Sequence, residues 1–173
     1  MSEAADVPTG VSVGAADARF TVRFELNGER REVEVPARWT LADALRERLG
    51  ATGTHLGCEQ GVCGACTVLL DDEPVRSCLL LAVQADGRRI RTVEGLAANG
   101  ECAPLQQAFI DHHALQCGFC TPGFLMLATA LVEDDPEMDD ETLRASLSSN
   151  LCRCTGYRPI FDAVAAARKG EGG

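Results

Sequence analysis

Hydrophobic and polar residues alternate in the segment ARFTVRFELNGERREVEVP, which begins at Ala18. The apolar members of the alternation are Phe20, Val22, Phe24, Leu26, Val33 and Val35. Asn27 and Gly28 interrupt it in the manner of a two-residue turn. Because strands have a side-chain period of two, this alternation on both sides of an Asn-Gly pair predicts a β-hairpin.

After the hairpin the apolar spacing becomes helical and then returns to that of strands. Thr40 is predicted to cap a helix over LADALRERL, which Gly50 ends. Thr67 to Leu70 is predicted as a strand, Asp71 to Pro74 as a turn, and the chain then returns as a strand through Cys78. A short strand in RIRTVEG closes this strand-rich part of the chain.

The rest of the chain is predicted to be helical. Residues 98–104 contain clustered turn formers and are interpreted as a linker. Four helices follow, predicted over residues 104–114, 121–135, 141–151 and 159–170. The second begins with Thr121 as its cap and Pro122 at its first position, and it is apolar on nearly every side. It is therefore predicted to be the buried central helix of a small bundle.

These patterns together predict an α+β protein. Residues 1–17 are interpreted as a flexible tail, residues 18–97 as a strand-rich domain, and residues 98–170 as an all-α, four-helix domain. The dense acidic run over residues 133–141 is interpreted as a solvated connection between helices.

Charge and composition narrow the class of protein. The formal net charge is −10 and aromatic residues are few, so nucleic acid is not an expected partner. The N-terminal segment lacks the basic start and the apolar run of a signal peptide. The most apolar window, Phe124 to Val132, is far shorter than the roughly 20 residues that a membrane span requires. We therefore expect a soluble, cytoplasmic protein.

The nine cysteines indicate a metal-binding protein, because cytoplasmic thiols stay reduced and clustered thiols there usually bind metals. Cys58, Cys63 and Cys66 have the spacing C-x4-C-x2-C, and Cys78 follows them. This is the spacing of a plant-type [2Fe-2S] cluster. Zinc sites with four cysteines generally use two short pairs instead. The first group of cysteines therefore favours an iron-sulfur cluster.

A second group of four cysteines follows in the helical part. Cys117 and Cys120 form a C-x2-C pair, Cys152 and Cys154 form a C-x-C pair, and each pair precedes a predicted helix. Four thiolates make a closed site with no position open for a substrate. Soft thiolates suit zinc and [2Fe-2S] equally, so the spacing leaves the metal open. The [4Fe-4S] run and the histidine pair of a Rieske centre are both missing from the sequence.

Three segments carry a resemblance to a known family. GCEQGVCGACTVLLDDEPVRSCLLLAV, QCGFCTPG and NLCRCTGYRPI resemble the small iron-sulfur subunit of the molybdenum hydroxylase, or xanthine oxidase, family. The resemblance extends over about residues 19–167. It implies an N-terminal β-grasp, plant-type ferredoxin-like domain followed by an all-α four-helix domain. Each domain would hold one [2Fe-2S] cluster on the four cysteines named above.

The same resemblance implies partners and a function. A large subunit would carry molybdopterin and a medium subunit FAD, and the complex would be a dimer of heterotrimers. This chain would be its non-catalytic, electron-transfer subunit. Electrons would pass from molybdopterin through the helical-domain cluster and then the ferredoxin-like cluster to FAD. Gln116 and Cys154 would lie against the pterin.

The sequence leaves an alternative function and several substrate classes open. A free two-cluster ferredoxin is the alternative function, although such a carrier has no need of the helical domain. The substrate would meet the large subunit, so purines, N-heterocycles, aldehydes and carbon monoxide all remain. The EQGV segment after Cys58 differs from the loop associated with carbon monoxide enzymes, which favours an organic N-heterocycle or aldehyde. Cys102 belongs to neither group of four and is interpreted as an unpaired residue.

Overall fold

The computed structural model describes residues 18–97 and 100–170, so the predicted tail and part of the predicted linker lie outside the described residues. The strands are β1 Arg19–Leu26, β2 Glu29–Pro36, β3 Thr67–Leu70, β4 Glu73–Arg76 and β5 Arg89–Arg91. The helices are α1 Leu41–Leu49, α2 Pro104–Asp111, α3 Thr121–Asp134, α4 Asp140–Leu147 and α5 Arg158–Arg168. A mixed sheet with one helix thus precedes four helices, which confirms the α+β prediction.

The five strands form one sheet in the order β2-β1-β5-β3-β4. The strands β1 and β5 run parallel, and the other neighbouring pairs are antiparallel. The predicted hairpin turn forms because Asn27 and Gly28 both have positive φ angles, 51° and 85°, as a two-residue turn of this kind requires. The predicted cap of α1 is a full capping box, since Thr40 and Asp43 each accept a hydrogen bond from the other's backbone N–H.

Each part of the chain has its own apolar core. The first lies between the sheet and α1 and includes Phe24, Val35, Leu41, Leu45 and Ile90. The second lies among α2 to α5 and includes Phe109, Phe124, Leu143, Leu147 and Ile160. Most of α3 is buried, as predicted for a central helix. None of the helices over the described ranges has the length and apolar character needed to cross a membrane.

The two cores meet where α3 packs on β3. Leu69 of β3 and Met126 and Ala130 of α3 form a small buried cluster between them. At its edge, Arg91 of β5 makes a bidentate ion pair with Glu133 of α3, with N–O distances of 2.7 and 2.8 Å. The two parts are therefore held against each other by apolar packing and by a charged pair.

Several predicted boundaries were wrong. The turn comprises Asp71 and Asp72, so Pro74 already belongs to β4, and β4 ends at Arg76 rather than continuing through Cys78. Leu79 N–H bonds to the Arg76 carbonyl and closes a turn that takes Cys78 out of the sheet. That turn leaves Cys78 free to face the first cysteine loop.

Helix ends in the second part also differ from the prediction. The cap of α3 is Cys120, whose carbonyl accepts the Phe124 N–H at 3.1 Å, so Thr121 already lies inside the helix. α2 ends at Asp111 because His113 has a φ of 53°, which a continuing helix excludes. Because Cys120 is the cap of α3, the start of this helix fixes the backbone of one member of the C-x2-C pair.

The interpretation of the acidic run over residues 133–141 as a solvated connection is only partly correct. Glu133 pairs with Arg91, and Asp140 pairs with Arg168 at 2.8 Å. Asp139 caps α4 by accepting the backbone N–H groups of Glu141 and Thr142. These carboxylates therefore fix helix ends and helix contacts.

Candidate metal centres

The first cysteine loop runs between α1 and β3 and turns sharply at residues with positive φ. Gly61 and Gly64 have φ angles of 76° and 73°. The Gln60 and Cys63 backbone N–H groups point at the Cys58 sulfur, with N–S distances of 3.4 and 3.3 Å. These sharp turns bring backbone amides to a sulfur.

Cys66 and Cys78 complete this group from the sheet side. Both are buried, and Ser77 joins their backbones by donating its N–H and its hydroxyl to the Cys66 carbonyl, at 3.3 and 2.7 Å. Since Cys66 immediately precedes β3 and Cys78 follows β4, the β3–β4 hairpin holds these two cysteines side by side. Three cysteines from one loop and one from beyond the hairpin thus face a common region.

The thiols of the first group differ in their electrostatics. Backbone amide hydrogen bonds, first from Cys63 and then from Gln60, lower the pKa of Cys58 to about 6. Burial, followed by hydrogen bonding to Cys66, raises the pKa of Cys78 to about 11. Four thiolates so close together repel one another, so a bound cation is needed to keep all of them ionised.

The second group of cysteines lies at the starts of two neighbouring helices. Cys117 and Cys120 precede α3, and Cys152 and Cys154 precede α5. The sulfurs of Cys117 and Cys154 are 3.6 Å apart and exposed. Burial, and then a hydrogen bond with Cys152, raises the pKa of Cys120 to about 12. The structure thus brings the two predicted pairs together, with Cys117 and Cys154 on the outside.

Cys152 has side-chain partners that the sequence patterns did not indicate. The Thr155 hydroxyl oxygen lies 3.1 Å from the Cys152 sulfur. The Cys152 backbone N–H donates to the Tyr157 hydroxyl at 3.1 Å. Burial is the largest influence on the Cys152 pKa and raises it, but hydrogen bonds from Thr155 and from nearby amides outweigh burial and lower the pKa overall.

Gln116 is held at the exposed edge of the second group. Its Nε2 donates to the Cys154 carbonyl at 3.1 Å, and both residues are exposed. The contact joins the two residues that the family resemblance assigns to the pterin. Their exposure leaves them accessible to another chain.

The loops of the two groups are hydrogen-bonded to each other. The Leu151 N–H donates to the Cys63 carbonyl at 2.9 Å, so one cysteine of each group lies within one residue of this bond. Next to it, Asn150 Nδ2 donates to the Gly64 carbonyl at 3.3 Å in a fully buried position. Arg76 Nη2 donates to the Ser149 carbonyl at 2.9 Å. These bonds form a direct mechanical link between the two cysteine groups.

A second link between the two cysteine loops joins His55 and Phe119. His55 donates from Nδ1 to the Phe119 carbonyl at 2.7 Å, and the two rings stack with their centroids 4.9 Å apart. His55 lies three residues before Cys58, and Phe119 lies between Cys117 and Cys120. A partner 64 residues away leaves no local signal in the sequence, which explains why His55 was not recognised.

The donor chemistry fits an iron-sulfur cluster in each group. Each consists of four thiols, and the amides directed at Cys58 are donors that stabilise a negatively charged cluster. A Cβ on Gly57 would meet the Cys63 sulfur at 3.3 Å and the Phe119 ring at 3.2 Å, so a larger residue at position 57 would press on a cysteine of the first group. Over residues 18–97 and 100–170, no three His, Cys, Asp or Glu side chains form a group suited to a single metal ion.

Comparison with known families assigns both parts of the chain. Residues 24–97 match the model of the 2Fe-2S iron-sulfur cluster binding domain, and residues 92–165 match the model of the [2Fe-2S] binding domain. Residues 92–97 match both models, so the predicted boundary after residue 97 stays a prediction.

Individual relatives cover nearly the same residues. The chain is 60% identical over 146 residues to the nicotine 6-hydroxylase small subunit of Paenarthrobacter nicotinovorans, covering 84% of this chain and 88% of that one. It is 53% identical over 146 residues to the caffeine dehydrogenase subunit gamma of Pseudomonas sp. strain CBB1, covering 83% and 87%. A chain of the quinoline 2-oxidoreductase crystal structure from Pseudomonas putida 86 superposes with a TM-score of 0.83 at 50% identity, covering 88% of this chain and 98% of that chain.

Two successive [2Fe-2S]-binding domains, the first ferredoxin-like and the second helical, define an electron-transfer protein with two clusters. The chain belongs to the small iron-sulfur subunits of the molybdenum hydroxylase family. This confirms the predicted resemblance and the predicted fold class. The chain is thus the non-catalytic, electron-transfer subunit of an oxidoreductase complex.

Proposed function

We propose that this chain carries electrons from molybdopterin in a large subunit to FAD in a medium subunit. The observation that carries the proposal is the direct hydrogen bond from Leu151 to the Cys63 carbonyl, which joins the two cysteine loops. The bond holds the two proposed clusters next to each other, as the transfer of electrons between them requires. The complex would be a dimer of heterotrimers in the cytoplasm.

The proposed ligands are the eight cysteines of the two groups. Cys58, Cys63, Cys66 and Cys78 would hold the first [2Fe-2S] cluster, and Cys117, Cys120, Cys152 and Cys154 the second. When bound, each cluster supplies one-electron redox chemistry. The backbone amides directed at Cys58 and the Thr155 hydroxyl beside the Cys152 sulfur support this assignment, because donors to sulfur stabilise the more negative, reduced form.

Electrons would enter at the exposed side of the second group. Gln116 donates one Nε2 hydrogen to the Cys154 carbonyl, which leaves its second Nε2 hydrogen and its carbonyl oxygen for a pterin. The Cys154 sulfur beside it can accept a hydrogen bond from a pterin amino group. Both residues are exposed, so a large subunit could cover them.

The substrate class of the complex is proposed from the relatives. Nicotine, caffeine and quinoline, which appear in the names of three similar proteins, are all nitrogen heterocycles. We therefore propose an N-heterocyclic substrate, which agrees with one of the two classes favoured by the EQGV segment. The substrate would bind to the large subunit, as the family resemblance implies.

Isolation of the native complex tests the proposal. Size-exclusion chromatography should place the chain with one large and one medium partner, and the complex should contain molybdenum, FAD and about four iron atoms per small chain. Reduction should give two distinct EPR signals. A free 18.4 kDa species with both clusters would instead support the two-cluster ferredoxin. Zinc in place of iron in either site of the native protein would contradict the cluster assignment.

A further inference from the structure

The Thr155 hydroxyl lies between a backbone amide and a cysteine sulfur. Its oxygen accepts the Tyr157 N–H at 3.2 Å and lies 3.1 Å from the Cys152 sulfur. A hydroxyl has one hydrogen to donate. A thiolate that binds iron has no hydrogen, so the hydroxyl must be the donor in the contact with Cys152. The geometry is therefore a short chain of donors that runs from the Tyr157 amide through Thr155 to the sulfur.

Tyr157 fixes this arrangement through both its backbone and its side chain. Its backbone has a φ of 69°, a left-handed conformation that bulky residues rarely adopt. Its hydroxyl accepts the Cys152 N–H at 3.1 Å. Its ring packs against Phe124 and Phe161, with centroid distances of 6.3 and 6.1 Å. The loop around Cys152 is thus held by contacts that keep the Tyr157 amide directed at Thr155.

We propose that Thr155 raises the reduction potential of the second cluster by donating a hydrogen bond to the Cys152 sulfur. Reduction adds one negative charge, and a hydrogen bond to sulfur is stronger in the more negative form. The Tyr157 N–H polarises the hydroxyl and strengthens its donation. Thr155 is therefore a positioning and tuning residue. This inference rests on the proposed role of Cys152 as a cluster ligand.

The two clusters should respond differently to a substitution at Thr155. Cys58 in the first group receives hydrogen bonds from backbone amides, which side-chain substitution leaves in place. Cys152 receives, besides bonds from nearby amides, a bond from the Thr155 side chain, which substitution can remove. A change at Thr155 should therefore move the potential of one cluster and leave the other where it was. That selectivity distinguishes tuning from a general disturbance of the fold.

The test is an EPR-monitored redox titration of the native complex with Thr155→Val. The hydroxyl is lost at nearly constant shape, and the equilibrium constant for reduction of the second cluster should fall about tenfold, or 59 mV for a one-electron couple. The second cluster's signal is identified as the one that Cys154→Ser alters. Thr155→Ser should restore the potential. Thr129→Val removes a hydroxyl that bonds to the Leu125 carbonyl within α3, and it should leave both potentials unchanged.

Each possible result of this titration either supports the tuning role of Thr155 or overturns it. An unchanged potential in Thr155→Val, an equal shift of both clusters, or a failure of Thr155→Ser to restore the potential would overturn the inference. If valine causes loss of the cluster, Thr155→Ala is titrated instead. Loss of the second signal in both variants would assign Thr155 to holding the loop and would also overturn the tuning role. A wild-type complex without a second [2Fe-2S] signal would contradict the proposed function itself, which is a distinguishable outcome.

Discussion

A single methyl group added at Gly64 should disrupt the contact between the two cysteine loops. Its φ is 73°, and a Cβ there would lie 2.0 Å from Asn150 Oδ1 and 2.4 Å from Asn150 Cγ. Asn150 is 1% exposed and donates from Nδ2 to the Gly64 carbonyl. Gly64→Ala would therefore impose backbone strain and force Asn150 out of its buried position.

The cost of the substitution has two parts. A left-handed conformation costs a residue with a Cβ about 1–2 kcal/mol. Loss of a buried hydrogen bond costs a further 1–3 kcal/mol or so. The sum is about 2–5 kcal/mol, and at about 2–4 °C per kcal/mol the melting temperature should fall by about 4–20 °C.

Gly87→Ala is the matched control. Its φ is 74°, and a Cβ there would meet nothing within 4 Å, so only the strain of about 1–2 kcal/mol applies. Thermal unfolding of the iron-loaded chains should place Gly64→Ala below Gly87→Ala, with earlier loss of the visible absorption of the clusters. In an Asn150→Ala background the clash is removed, and Gly64→Ala should then cost no more than Gly87→Ala.

Two results would refute this reasoning. One is an equal melting temperature for Gly64→Ala and Gly87→Ala, which would mean that Asn150 accommodates the methyl group freely. The other is an unchanged cost of Gly64→Ala in the Asn150→Ala background, which would place the effect elsewhere. Either would show that the contact between the cysteine loops does not depend on a glycine at this position.

Three further predictions concern single residues. Gln116→Ala should leave iron content and both EPR signals intact but slow reduction of the clusters by substrate, whereas the exposed control Gln107→Ala should not; unchanged kinetics in Gln116→Ala would argue against a pterin contact. Cys154→Ser should damage the second EPR signal and leave the first largely present, and loss of both in a folded chain would contradict two independent clusters. Asp139→Ala should lower the melting temperature by about 2–4 °C through loss of the α4 cap. Hydrogen bonds from the Thr142 hydroxyl and amide lower the pKa of Asp139, so its contribution is fully present above the ordinary value of about 3.9 and is lost only as the pH falls through the lower folded-state pKa. The melting difference should thus be constant from pH 8 to pH 5, and a decline within that range would contradict this assignment.

Much of the fold follows from local patterns, because the interactions that form those elements are local. Alternation and an Asn-Gly pair predict the β1–β2 hairpin, and Thr40 and Gly50 mark the two ends of α1. Errors arose where a boundary depends on a distant partner. The turn after β4, for example, brings Cys78 toward a loop twelve or more residues earlier, and strand propensity at Cys78 contains no information about that loop.

The candidate sites divide in the same way. The eight cysteines are recognisable because thiolate chemistry and close spacing are written in consecutive residues. Thr155 and Tyr157 were not singled out, although both lie in the segment CRCTGY, because an ordinary threonine and tyrosine have no distinctive spacing. Asn150 and His55 were missed because their partners, Gly64 and Phe119, are 86 and 64 residues away.

The sequence by itself determined the chemistry of this protein. It supplied two groups of four thiols, the turns that permit the first loop, and the helices that present the second. Only the tertiary structure decided how the groups relate to each other. Packing of α3 on β3 brings Leu151 to Cys63 and Asn150 to Gly64. These contacts depend on the relative positions of two apolar cores, which no local pattern contains.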